Sequence, residues 1–287
     1  MMIRTEGRQN TSLTRSRPTS PAGHWVTVTT VCLLVVSCVA AAVTLWLPGL
    51  LSGPTDMNGS ARGTALVVLA AAVPTLALAA IAAGSGHAAA LGVWLGAVGY
   101  LAYNAGLFLY ATPFNQAFLL YVAMLGLSVW TLGGLLAGVG RQTDQLSPQT
   151  GRIVAGYLVL VVVMTASAWL RGIVPTIAAD RPGAVMDGLG LATNPVYIQD
   201  LALGLPAAIV TAILVWRRRP GSGGLAIAML VYFLLESISI AVDQWFAVTA
   251  DPTTTVASAA AVPVFAILTV FDLAVLALAL RYLQPLP

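Results

Sequence analysis

Lysine is missing from the 287-residue chain, and charge of either sign is scarce. Thirteen arginines face ten carboxylates, and charged residues make up only 8% of the sequence. A soluble domain carries several times that share on its surface, so a dispersed globular protein is excluded. The catalytic signatures that need special residues are missing too. There is no Walker A lysine motif, no G-x-S-x-G, no C-x-x-C and no H-E-x-x-H, so P-loop, serine-elbow, dithiol and zincin chemistries have no footing. The two histidines, His24 and His87, fall at the ends of apolar stretches and read as boundary residues. Cys32 and Cys38 lie six apart on one helix and point to different faces, so they cannot pair with each other and read as small packing residues. No cofactor and no metal site are expected.

What the chain has instead is hydrocarbon character: 59% of its residues are hydrophobic, and the mean hydropathy is +0.90. A helix needs about 20 apolar residues to cross a bilayer. Eight stretches qualify: 25–47, 65–83, 88–110, 117–139, 153–170, 196–216, 224–248 and 256–280. None shows the two-residue alternation of a barrel strand. The expected fold is therefore an all-α polytopic transmembrane bundle, a single domain over residues 24–287. Residues 1–23 are rich in Arg, Ser, Thr and Pro, too polar to form a core, and read as a disordered tail. Val35-Val36-Ser37-Cys38 matches a loose lipoprotein box, but the apolar run continues to Leu47, which argues against cleavage there.

Arginine placement sets the expected orientation. With the amino terminus inside, Arg4, Arg8, Arg15, Arg17, Arg141, Arg152, Arg217, Arg218, Arg219 and Arg281 are cytoplasmic. Only Arg62, Arg171 and Arg181 are external, together with Asp56, Asp180, Asp187 and Asp251. Trp25 and Trp216 then mark the inner interface, and Trp46, Trp169 and Trp245 the outer one. The formal charge of +3 is spread along one side of a membrane, so no nucleic-acid partner is expected. The expected setting is a bacterial inner membrane with both termini cytoplasmic.

Four carboxylates interrupt the apolar stretches or close their outer ends: Asp200, Glu236, Asp243 and Asp272. An ionised side chain in hydrocarbon is costly and faces a partner, a bundle interior or a water-filled cavity. On the seventh stretch Tyr232, Glu236, Ser239 and Asp243 follow steps of 4, 3 and 4, which aligns them on one helical face. At 1.5 Å per residue, Glu236 lies about 18 Å from the inner end of its helix, and Asp272 about 13 Å from the inner end of the eighth. The two are expected to be close in depth and to share a proton, since neighbouring carboxylates do not both ionise cheaply. A second cluster is expected toward the outside. Asn194-Pro195 reads as a helix cap and first turn, with Asp200 just inside, Arg171 at similar depth as a charge partner for Asp200 or Asp243, and Asn104 nearby. Gly92, Gly96 and Gly99, and Gly134 with Gly138, form small-residue ridges that suit close helix packing.

Two segments, YNAGLFLYATPFNQAFLLYVAMLGLS (Tyr103–Ser128) and NPVYIQDLALGLPAAIVTAILVWRRRP (Asn194–Pro220), resemble a group of bacterial integral membrane proteins of no assigned activity. The resemblance rests on Tyr103-Asn104, the Pro113-Phe114-Asn115 turn and Asp200. It implies an eight-helix bundle and brings no activity with it. Three function classes fit the residues. The first is a small-solute or ion permease that titrates its intramembrane carboxylates, with Pro74, Pro206 and Pro263 as helix breakers. The second is a membrane enzyme acting on a lipid or isoprenoid. The third is an accessory subunit whose polar seam serves assembly with a membrane-protein partner or a second copy.

The orientation is tested with reporter fusions at Asp56, Gln145, Val185 and Pro287. They are expected to score outside, inside, outside and inside. Two or more reversed signals contradict the eight-span topology.

Overall fold

A computed structural model describes residues 23–87, 89–139, 142, 144–181, 183 and 186–284. All of the segment expected as a tail (1–23) except Gly23 lies outside the described residues, as does Arg141. Among the described residues, eight helices are long and apolar enough to cross a membrane: α1 (His24–Trp46), α2 (Thr55–Gly84), α3 (Ala90–Tyr110), α4 (Phe118–Val139), α5 (Pro148–Ala178), α6 (Pro195–Trp216), α7 (Ser222–Ala250) and α8 (Ala261–Arg281). Every backbone group inside such a helix is satisfied within it, which is what hydrocarbon demands. Large side chains such as Val35, Ile81, Leu160 and Val270 point outward, as an apolar bilayer environment allows. The chain is a polytopic all-α membrane protein.

Burial ranks the helices. In their most apolar windows 78% of α3 and 50% of α7 are buried, against 11% of α8. Thus α3 and α7 form the centre, and α8 is a lipid-facing strut. Two glycine ridges bring the backbone of α7 close to its neighbours. On α3, Gly92 and Gly96 lie against the carbonyls of Gly224 and Ala228, and a Cβ on Gly92 would stand 2.6 Å from the former. On α2, Gly59 and Gly63 do the same farther along: a Cβ on Gly63 would meet Asp243 Cα at 2.7 Å and one on Gly59 the Phe246 carbonyl at 2.6 Å. Small-xxx-small spacing permits this approach, and dispersion between the closely packed backbones then stabilises it. Gly134 instead accommodates the Trp25 and Val26 side chains of α1.

The second helix is longer than the apolar run suggests. Its first turns carry Asp56, Asn58, Ser60 and Arg62, which an apolar-length criterion leaves in an outer loop. They are helical because Gly59 and Gly63 dock on α7 and because Asp56 accepts from the Thr254 hydroxyl. Likewise α5 runs on to Ala178, so Arg171 sits within a helix it was expected to close.

Both α2 and α6 change winding just before a proline. Val68–Ala72 and Asp200–Gly204 form π-turns, and α-helix resumes at Val73-Pro74 and Leu205-Pro206. Proline has no N–H to donate and its ring crowds the carbonyl four residues back, so the wider turn relieves that clash. At the helix ends expected to be cytoplasmic, Gln145–Leu146 pairs antiparallel with Leu283–Gln284, joining the start of α5 to the end of α8.

The α2–α7 contact gives a stability test. Gly126→Ala meets nothing within 4 Å, and loses glycine's unfolded-state entropy, so it is expected to be neutral or slightly stabilising. Gly63→Ala, the same chemical change, is expected to cost about 1–3 kcal/mol through backbone displacement. Thermal melting in detergent compares the two, and equal midpoints contradict the docking.

Candidate functional site

The polar face of α7 meets a matching face on α3. Tyr100, Tyr103 and Asn104 are spaced i, i+3, i+4 and so share one side of α3. Tyr100 donates to Ser239 Oγ at 3.0 Å. The Tyr103 and Tyr232 rings meet edge to face with centroids 5.8 Å apart. Asn104 is buried beside Glu236 and donates from Nδ2 to its own helix at the Tyr100 carbonyl, 3.0 Å away. That leaves two buried oxygens without a donor: Asn104 Oδ1 and Glu236 Oε2.

Asp200 reaches the same cluster from α6. Asn194 caps that helix as its sequence suggests, accepting at Oδ1 from the Val196 and Tyr197 amides at 3.0 and 3.4 Å, with Pro195 in the first turn. The π-turn that begins at Asp200 turns its side chain inward, where Oδ2 accepts from Trp169 Nε1 on α5 at 2.8 Å. Trp169 in turn stacks obliquely on Tyr197, centroids 5.0 Å apart. The charged groups acting on Glu236 are Asp200 and, from one helical repeat away, Asp243. Asp243 Oδ1 accepts from Gln244 Nε2 at 3.2 Å. An acceptor-rich centre is thus built from three helices, and its hydrogen-bond donors are an indole, phenols and amides rather than arginine.

This centre borders a crevice of about 500 Å³ between α3, α4, α6 and α7. Its walls are apolar, with Gly96 and Gly99 of α3, Leu125 and Leu136 of α4, Val210 of α6 and Met229 of α7. Polar groups gather where Tyr103, Gln199 and Tyr232 line it. Gly204 lines it too, and a Cβ there would stand 3.5 Å from the Tyr232 hydroxyl and 4.0 Å from Asp200 Oδ1. Leu136, Leu203 and Val210 are exposed along its rim, so the crevice opens toward the surrounding lipid.

Not every expected partner is here. Asp272 does not meet Glu236. It is buried on the other side of α7, where it accepts from Tyr157 at 2.6 Å and from Ser237 at 2.8 Å. Ser237 follows Glu236 directly, so about 100° of helical rotation separates the two side chains. The matching depths read from the sequence were no guide to which face each carboxyl occupies. Arg171 is exposed, and the α5 side chain that reaches Asp200 is Trp169, two residues earlier. Tyr100 and Trp169 join this cluster although neither carries a charge that marks it in the sequence, and Tyr157 belongs to the separate Asp272 contact. The i, i+3, i+4 spacing of Tyr100, Tyr103 and Asn104 was the available signal for the α3 face.

Among the described residues no His, Cys, Asp and Glu side chains group as metal ligands. Cys32 is exposed and Cys38 half-buried, both free. Outside the spans, the Thr253 hydroxyl and amide bonded to Asp251 hold that carboxyl below the usual range. The chain matches no family model, no curated protein and no solved structure. The geometry defines the class, an integral membrane protein of eight apolar helices, and the bacterial group that its two segments resemble stays an expectation.

Proposed function

We propose that this protein is a proton-linked permease for a small solute, working at the face shared by α3, α6 and α7. The observation that carries this reading is the grouping of Asp200, Glu236 and Asp243 within one bundle interior, screened from the crevice by Tyr103 and Tyr232, with neither Glu236 Oε2 nor Asn104 Oδ1 satisfied by the protein. Carboxylates in hydrocarbon are retained where their charge changes during work. A π-turn immediately before Pro206 gives α6 a place to flex beside the site. In this account Glu236 exchanges the proton, Asp200 is linked to the crevice through Tyr103 and Asn104 holds Glu236 in place. Asp272, already satisfied by Tyr157 and Ser237, ties α5, α7 and α8 together. With both termini cytoplasmic, the crevice runs from Leu225 near the inner end of α7 to Gln199 near the outer end of α6, and the carboxyl centre lies toward its outer end.

The proton step is testable without knowing the solute. In nanodiscs, infrared difference spectra recorded while the pH is cycled are expected to contain a carboxyl band that Glu236→Gln removes. The same variant is expected to keep wild-type abundance and melting, because glutamine preserves shape and hydrogen bonding. The absence of any pH-responsive band assignable to Glu236 contradicts the proton-linked reading.

A further inference from the structure

We propose that a polar cavity between the start of α5 and the end of α6 binds the phosphate of an anionic phospholipid. It lies at the far end of α6 from Asp200 and does not rest on the permease reading.

The cavity holds about 210 Å³, lined by Ser147, Gly151 and Arg152 on one side and Val215, Trp216 and Arg218 on the other. Pockets that enclose a whole drug-sized ligand run to roughly 300–1,000 Å³, so this one takes a head group and leaves the rest of the molecule outside. Among the described residues no carboxylate lines it. Two arginines therefore border one cavity with no counter-charge in its walls, and phosphate oxygens match the forked N–H donors of a guanidinium group.

Local structure gathers the positive charge there. Ser147 caps α5, its Oγ accepting from the Thr150 amide at 3.3 Å, Pro148 opens the first turn, and no acidic residue stands in that turn. The positive end of the helix dipole thus meets the cavity, and Arg152 adds a full charge just past the first turn. Like charges so placed repel, and an anion between them removes the repulsion. Arg218 follows α6 in left-handed backbone, with φ 52°, a conformation uncommon for a residue that has a Cβ. Gln145 Nε2 donates to the Arg218 carbonyl at 2.7 Å and holds that turn, and Gln145 is itself fixed by pairing with Gln284. Of the three consecutive arginines, Arg218 lines the cavity and Arg217 and Arg219 do not. Placing positive charge at a membrane edge requires no such turn.

The surroundings favour a lipid over a free anion. Trp216 is exposed, as suits an indole at head-group depth. Beside the cavity, toward the middle of the bilayer, Ile153 of α5 and Ile213 of α6 are exposed as well. A phosphate in the cavity therefore leaves acyl chains an aliphatic surface to lie on. Basic pockets between helices at a membrane face recognise anionic head groups in this way.

Native mass spectrometry of the full chain, released from nanodiscs of mixed phosphatidylglycerol and phosphatidylcholine, reads the lipid that stays bound. A single phosphatidylglycerol is expected to be retained in preference to phosphatidylcholine. Arg152→Gln combined with Arg218→Gln is expected to weaken retention at least about tenfold, the loss of charge-assisted hydrogen bonds to one phosphate. Arg217→Gln combined with Arg219→Gln removes the same charge at the same membrane face and is expected to lower retention far less. Gly151→Met tests the cavity with every arginine in place. A Cβ there makes only ordinary contacts, the nearest with Val215 Cγ1 at 3.5 Å, so the side chain extends into the cavity and is expected to displace the lipid. Equal retention of the two lipids overturns the proposal, as does equal loss from the two arginine pairs, which would mean diffuse attraction to the surface. Full retention in Gly151→Met overturns it too. Inorganic phosphate that competes the lipid off, where sodium chloride of equal ionic strength does not, would assign the cavity to a free anion and overturn the lipid as its occupant.

Discussion

Hydrocarbon cannot solvate a carboxyl group, and the architecture follows from keeping the polar face of α7 away from it. That face carries Tyr232, Glu236, Ser239 and Asp243, and it must be covered by protein. Two glycine ridges provide the cover: Gly92 and Gly96 bring α3 onto the first half of α7, and Gly59 and Gly63 bring α2 onto the second. Close backbone approach leaves α7 little lipid contact on that side. It also brings Tyr100, Tyr103 and Asn104 within reach of the α7 polar groups. Interhelical hydrogen bonds in membranes contribute only about 0.6 kcal/mol each on average. They specify rotation and register more than they supply stability, and dispersion along the glycine ridges carries the docking.

The polar centre and the crevice are complementary parts of one arrangement. Tyr103 and Tyr232 stand between them, with their rings lining the apolar side and their positions beside the carboxyl groups. An aromatic ring with a hydroxyl at its tip suits a boundary of that kind. The outer flank depends on α6, where the π-turn before Pro206 widens the helix at Asp200. Had α6 continued as regular α-helix, the residues after Asp200 would be rotated relative to the ones before it, and the Trp169 bond and the crevice wall would not both form. Asp272 repeats the chemistry of a buried carboxyl with the opposite outcome. Tyr157 and Ser237 satisfy both of its oxygens, so it closes a contact instead of opening a site.

Much of this was legible in the residues, and the reasons differ by feature. Eight apolar stretches give eight helices because length and composition alone decide whether a segment can cross a bilayer. The 4-3-4 spacing from Tyr232 to Asp243 aligned these residues on one face of α7 because helical periodicity is local. The Asn194-Pro195 cap was readable for the same reason. Pairing between helices was not readable. Asp272 and Glu236 have similar depths, yet the 100° between consecutive residues of α7 puts them on different sides. Arg171 is the charged residue at that depth, yet Trp169, an ordinary interfacial residue by composition, supplies the bond to Asp200. The start of α2 was hidden because Asp56, Asn58 and Arg62 read as a loop until the docking of Gly59 and Gly63 on α7 is known.

The central claim is that the carboxyl-bearing face borders a cavity that a solute can enter, rather than a sealed helix contact. Single cysteines in a chain carrying Cys32→Ala and Cys38→Ala measure this directly, through their rate of reaction with N-ethylmaleimide in intact membranes. Gly99→Cys, on the crevice wall, is expected to react readily, and Ala97→Cys, at a position fully buried in α3, to stay inert until the protein is denatured. A Gly99→Cys thiol that reacts no faster than the one at position 97 would mean the crevice is closed and the account is wrong.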